Sequence, residues 1–234
     1  MKKLLLPIIL VFAINGFSQE TFFGVGIMQS TFKNENINKI FERYNENGPG
    51  YFEPYNHIAG PVFDVSIRDD GYMASIGFAS RKKNIVNEYY DTLNVSHEIY
   101  LQARYGFWFV NYYWHLVDKD RFKMGPGIGG AVSLYRFQRT NTDGDHQYPV
   151  YDVIREFHFL TSVLFNMSIY MGEHASLNIQ PYFQMPFLSN TLVNYAYLEN
   201  NLNPNYAIPD EQEDDYLEWH INYGFTLSLS FGGE

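Results

Sequence analysis

The chain has 234 residues, no cysteine, 16 Lys and Arg against 26 Asp and Glu, and a formal net charge of −10. The missing thiols exclude disulfides and a lipidated cysteine, and the acidic balance lacks the basic stripe of a nucleic-acid binder. With 20 Phe and 20 Tyr in a chain of mildly polar mean hydropathy, −0.28, the composition suits a sheet protein whose apolar residues alternate with polar ones.

Residues 1–18 read as a secretion signal. Lys2 and Lys3 lead, Leu4 to Ile14 form an apolar run, and Gly16-Phe17-Ser18 offers a small-x-small cleavage site. The run is too short for a spanning helix, which takes about 20 residues, so residues 19–234 are expected as one β domain. A strand is expected at 21–31 and a long connection at 32–57. Within that connection Ile37, Ile40, Phe41 and Tyr44 share one helical face. Asn34 is the expected N-cap and Gly48-Pro49-Gly50 the stop of a short helix packed on a rim.

Strands at 58–69 and 71–81 meet at Asp69-Asp70-Gly71, whose chemistry suits a tight reversal. A connection at 82–96 leads to a strand at 97–116, a turn at Val117 to Asp120, and a strand at 122–137. A connection at 138–154 leads to a strand at 157–169, a turn at Met171 to His174, and a strand at 175–187. After a connection at 188–215 comes the clearest strand. Trp219, Ile221, Tyr223, Phe225, Leu227, Leu229 and Phe231 share one parity, and Glu218, His220, Asn222, Gly224, Thr226, Ser228 and Ser230 the other.

Long connections thus alternate with short ones. This is the pattern of an all-β, eight-stranded, antiparallel up-and-down transmembrane barrel with tight turns on one side and long loops outside. The chain resembles the small OmpA/OmpX-type outer-membrane barrels over residues 19–234. The resemblance rests on the signal, the loop rhythm and a final strand ending in Phe231, although Gly232, Gly233 and Glu234 follow that aromatic. It implies an outer-membrane location and insertion by the barrel-assembly machinery; fold alone implies no activity.

The expected orientation puts apolar side chains toward lipid and hydrophilic ones inside. Asp64, Arg68, Arg104, His158, Glu218 and His220 then form a polar network in or near the lumen. Buried charges need partners, so Arg104 is expected to be matched by carboxylates or hydroxyls of neighbouring strands, Asp64 first among them. Lys33, Arg81, Lys82, Lys83, Arg136, Arg139 and Arg155 gather where strands meet outer loops and are candidate contacts for phosphorylated outer-leaflet glycolipid. The carboxylates Asp210, Glu211, Glu213, Asp214 and Asp215 are weak candidates for a divalent cation.

Three motifs are read against their context. Gly125-Pro-Gly127-Ile-Gly129-Gly130 matches G-x-G-x-x-G but runs into strand-like sequence, so its glycines are expected to make room for bulky lumen neighbours. Asn141, Asp143, Asp145 and Asp152 only faintly suggest a calcium loop, because Gly144 is misplaced and the last ligand is not Glu. His174-Ala-Ser176 is similar to the H-x-S of lipid A deacylases, yet falls at a turn on the wrong side of the membrane. No enzyme activity and no cofactor are therefore expected.

The expected partners are outer-membrane lipid, lipopolysaccharide and an outer-membrane protein, with no nucleic acid. The expected role is surface binding or an envelope-structural or accessory function through the extracellular loops. A small pore is the alternative from another class, with a soluble lipocalin-like barrel third.

Overall fold

In a computed structural model of the chain, residues 20–187, 192–206, 208 and 215–233 are described. The proposed signal at 1–18 and the candidate cation ligands Asp210, Glu211, Glu213 and Asp214 lie outside them. Eight antiparallel strands form the wall: β1 (Glu20–Phe32), β2 (His57–Asp69), β3 (Tyr72–Tyr90), β4 (Ser96–Trp114), β5 (Phe122–Asp143), β6 (Tyr151–Tyr170), β7 (Ala175–Pro186) and β8 (Asn222–Gly233). Each pairs with its neighbours, and β8 pairs back onto β1 from Thr21↔Gly233 to Phe32↔Asn222, closing the ring. Closure removes the sheet edge, which a bilayer would penalise.

Side-chain orientation follows parity. On β8, Phe225, Leu227 and Leu229 are 44%, 44% and 40% exposed, whereas Thr226 and Ser228 between them are 6% and 3%. Phe23, Val25 and Ile27 of β1, Trp108 and Val110 of β4, and Phe157 and Phe159 of β6 also face outward. An apolar band outside and polar groups inside define a membrane-spanning barrel.

The lumen is not uniformly hydrophilic, contrary to the expectation from sequence. Serines and amides of β6, β7 and β8 line one side, with Ser162, Asn166, Ser168, Ser176, Asn178 and Ser230 all buried. Aromatics of β4 and β5 fill the other: Tyr105, Phe107, Phe109, Tyr113, Tyr135 and Phe137. The inward glycines accommodate them. A Cβ on Gly127 would lie 2.5 Å from the Tyr113 ring, and one on Gly129 would lie 2.2 Å from Asn111 Oδ1. The internal cavity among Asp64, Asn111, Leu164 and Gln180 is about 20 Å³, room for one water.

The wall is lopsided. Strands β1, β2, β7 and β8 have 12 or 13 residues, while β3 to β6 have 19 to 22. About 9–11 residues cross a bilayer, so β3 to β6 rise well beyond it. The connections expected at 82–96 and 138–154 are accordingly mostly strand, reversing only around residues 91–95 and 144–150. The turn expected at Val117 to Asp120 contains a short strand, Val117–Lys119, paired with the start of β5.

A cap covers the outer mouth. Helix α1 (Glu35–Asn47) buries Ile37, Ile40, Phe41 and Tyr44, each worth roughly 1.5–3 kcal/mol on full burial, and Phe41 stacks on Phe52 at 5.1 Å. Asn34 does not cap α1 with its side chain; it donates to the Tyr55 carbonyl. The Glu218 carboxylate instead accepts from the backbone N–H groups of Glu35 and Asn36, at 2.9 and 3.1 Å, where the helix dipole favours negative charge. Gly48 ends the helix by donating its N–H to the Tyr44 carbonyl. Helix α2 (Ala196–Leu202) packs beside α1, clasped by an Arg43–Glu199 ion pair.

Candidate lipid-headgroup site on the tall wall

The tall wall carries a regular vertical sequence of side chains. Register sets Phe78, Trp108, Val132 and Phe159 in one outward row across β3 to β6. Two residues higher lie Ser80, Gly106, Leu134 and Phe157. Two residues higher again stand Lys82, Arg104, Arg136 and Arg155, directly opposite one another in neighbouring strands. Like charges directly opposite one another are unfavourable, and here four follow the last apolar row about 7 Å further along the strands, from a rise of about 3.4 Å per residue.

Lys82, Arg104 and Arg155 are exposed. Arg104 directs its Nε toward Gln102 Oε1. The Arg136 Nε is shielded from solvent and has no hydrogen-bond partner among the described residues. The row contains no ion pair among the described residues; acids lie elsewhere, as in Lys33–Glu35 and Lys123–Asp118. A guanidinium can contact phosphate through two parallel N–H donors.

The candidate residues sort differently from the sequence expectation. Arg104 does not enter the lumen and does not meet Asp64; it points outward, while Asp64 points inward. Arg81, which the sequence assigned to the glycolipid set, is instead buried in the lumen, as Arg68 is. It donates to the Tyr182 hydroxyl at 3.0 Å and to Asn222 Oδ1 at 3.4 Å, and lies over the rings of Tyr105 and Phe107. Arg139 also leaves that set, because it faces the cap and donates to the carbonyl and the Oδ1 of Asn201, at 2.6 and 2.7 Å. Lys83 is exposed but sits on the other parity from the row. Lys33 pairs with Glu35 at the cap.

Inside, Arg68 donates to Ser176 Oγ at 2.7 Å and to Asn178 Oδ1 at 3.4 Å, and lies 4.0 Å from the Phe22 ring centroid. His158 and His220 are buried with ring centroids 5.4 Å apart. Glu218 belongs to the cap rather than to the lumen. Asp215, the one described member of the acidic candidates, offers its backbone carbonyl to Asn36. Among the described residues no group of His or carboxylates is arranged to hold a metal ion; Asp143 of the calcium-like stretch lies 3.3 Å from His97. The His174–Ser176 pair is split: His174 lies 3.2 Å from the Gly232 carbonyl at the turn, and Ser176 turns inward to Arg68.

No family model and no curated protein matches the chain. Solved structures with a similar arrangement include Neisserial surface protein A, at 9% identity and TM-score 0.44, covering 90% of this chain and 96% of that one. The attachment invasion locus protein Ail of Yersinia pestis, solved with the heparin analogue sucrose octasulfate, shows 7% identity and TM-score 0.46 over 92% and 99%. The N-terminal barrel of Pseudomonas aeruginosa OprF shows 9% identity and TM-score 0.34 over 92% and 98%. At these identities nothing passes to this chain beyond the strand arrangement, which the ladder of this barrel shows on its own. The closed ring, its outward apolar band and its filled interior are those of a small eight-stranded outer-membrane barrel.

Proposed function

We propose that this is a non-enzymatic envelope protein that grips phosphorylated outer-leaflet glycolipid with the Lys82–Arg104–Arg136–Arg155 row and carries a rigid cap for surface contacts. The observation that supports this reading is the register itself. Four cations from four neighbouring strands stand directly opposite one another in register, beyond the apolar band, with the Arg136 Nε shielded and unpaired among the described residues. In water such a row repels itself; beside a layer of phosphates each cation gains a partner.

The test is titration of the purified barrel in detergent with fluorescent lipopolysaccharide. The triple variant Arg104→Gln, Arg136→Gln, Arg155→Gln should weaken binding at least tenfold, about 1.4 kcal/mol, and flatten its salt dependence. Unchanged affinity in the folded variant would sink the proposal. The filled lumen disfavours the alternative of a small pore, because a cavity of about 20 Å³ offers no continuous water path.

A further inference from the structure

Above the basic row the outward face changes character again. Register places Asn84, Gln102, Gln138 and Asp152 in the next outward row. The Gln102 amide donates to Asn84 Oδ1 at 2.7 Å and to the Tyr100 hydroxyl at 3.0 Å, and Gln138 donates to Asp152 Oδ1 at 2.7 Å. Higher still, Tyr100 pairs with Thr140, then Glu98 with Thr142. The segment around Gln147 and Val150 overhangs these rungs and turns the face into a cleft of about 420 Å³, with Arg104 at its foot. That volume lies within the usual range for small-ligand sites, about 300–1,000 Å³.

We infer that this cleft binds the sugar portion of the same glycolipid whose phosphates the basic row holds, an inference that rests on the headgroup reading above. Its lining is mostly amide, hydroxyl and phenol, with one acid, Glu98, and two bases, Arg104 at the foot and Arg139, which Asn201 already engages; this suits a polyhydroxylated ligand better than a polyanion. Planar amides donate and accept side by side, matching adjacent sugar hydroxyls, and Tyr100 adds a ring and a hydroxyl. Gln102 is only 8% exposed and is held on both sides, so the lining is ordered before any ligand arrives, which lowers the entropic cost of binding. Position is the stronger argument. A headgroup anchored at Arg104 projects its sugars away from the membrane, along the path on which the rungs at Gln102, Tyr100 and Glu98 follow at about 7 Å intervals.

The experiment uses the full barrel in detergent and three probes: complete lipopolysaccharide, its sugar-free phosphorylated lipid anchor, and the phosphate-free core oligosaccharide. Wild type should bind complete lipopolysaccharide at least tenfold more tightly than the anchor, and should bind the free oligosaccharide measurably. Gln138→Ala with Tyr100→Ala, neither of which hydrogen-bonds to the basic row among the described residues, should abolish both the preference and oligosaccharide binding while leaving anchor affinity within twofold. Thr142→Trp, which obstructs the cleft from above without touching the amides, should do the same if the double variant fails to fold. Equal affinity for complete lipopolysaccharide and anchor in wild type, or a preference that survives in the folded variants, would overturn the inference. Failure of the headgroup reading looks different: the triple variant of the basic row would bind the anchor as wild type does, and the oligosaccharide arm would still decide the cleft.

Discussion

Arg81 reaches across the lumen from β3 and donates to the Tyr182 hydroxyl on β7 at 3.0 Å. No carboxylate lies within ion-pair distance of this buried cation among the described residues. Ring faces and neutral oxygens solvate it instead, with Tyr105 and Phe107 at 4.5 and 4.6 Å. Arg81→Met keeps the volume and removes the buried charge, so stability against urea should stay within about 1 kcal/mol of wild type. Arg81→Ala opens a void and should lose about 2–4 kcal/mol. In planar bilayers wild type should be silent, and only the alanine variant should show ion steps. Steady conductance in wild type would contradict the filled lumen.

The cap should respond to pH through two carboxyls outside the membrane. Burial raises the proton affinity of Glu199 more than its contacts with Asn203 and Arg43 lower it, and burial likewise raises Glu218 despite the N–H groups of Glu35 and Asn36. A raised value in the folded state means that docking is favoured below the ordinary Glu value of 4.5 and weakens as pH rises through the raised values. Hydrogen exchange of α1, corrected for intrinsic rate, should therefore be slower at pH 5 than at pH 7. Glu199→Gln should reduce that difference; an opposite pH trend would refute the account.

Two glycines separate by what an added methyl group would meet. A Cβ on Gly26 would lie 2.2 Å from the Leu227 carbonyl oxygen and 2.6 Å from the Ser228 Cα, neither of which can move without shifting β8. Gly26→Ala should cost about 1–3 kcal/mol. On Gly130 the nearest atom would be the Leu160 oxygen at 3.9 Å, and Gly130→Ala should be neutral or slightly stabilising. Urea unfolding of both variants in the same detergent is the check.

His220 sits among Phe32, Tyr135 and His158, and neither of its ring nitrogens has a hydrogen-bond partner among the described residues. His220→Phe preserves a ring and deletes two unpaired polar atoms, so stability should rise by about 1–2 kcal/mol. A lower urea midpoint would show that the imidazole has a partner of its own.

Parity was legible wherever one face of a strand is purely apolar, as on β8, where Phe225 and Thr226 take the expected sides. It was illegible on β4, where Phe107 and Phe109 face inward while Trp108 and Val110 face lipid. With aromatics on both faces the sequence offers no contrast, and Arg104 was placed on the wrong side. The same parity rule applied from Tyr72 to Tyr90 would have turned Arg81 inward, because Met73, Ala79 and Arg81 share a face. The stretch 82–96 looked like loop because its side chains are polar, but a strand standing in water above a membrane is polar on its outer face too. Register between distant strands has no signature in one sequence, so the alignment of Lys82, Arg104, Arg136 and Arg155 appears only in three dimensions.

The unequal strand lengths give the molecule a front and a back within the plane of the membrane. A neighbour drifting toward β7, β8, β1 or β2 meets little more than greasy side chains at bilayer depth. One arriving at β3 to β6 meets a fence standing several residues proud of the surface, with cations at its base. Contacts with the surroundings therefore depend on which way the cylinder is turned.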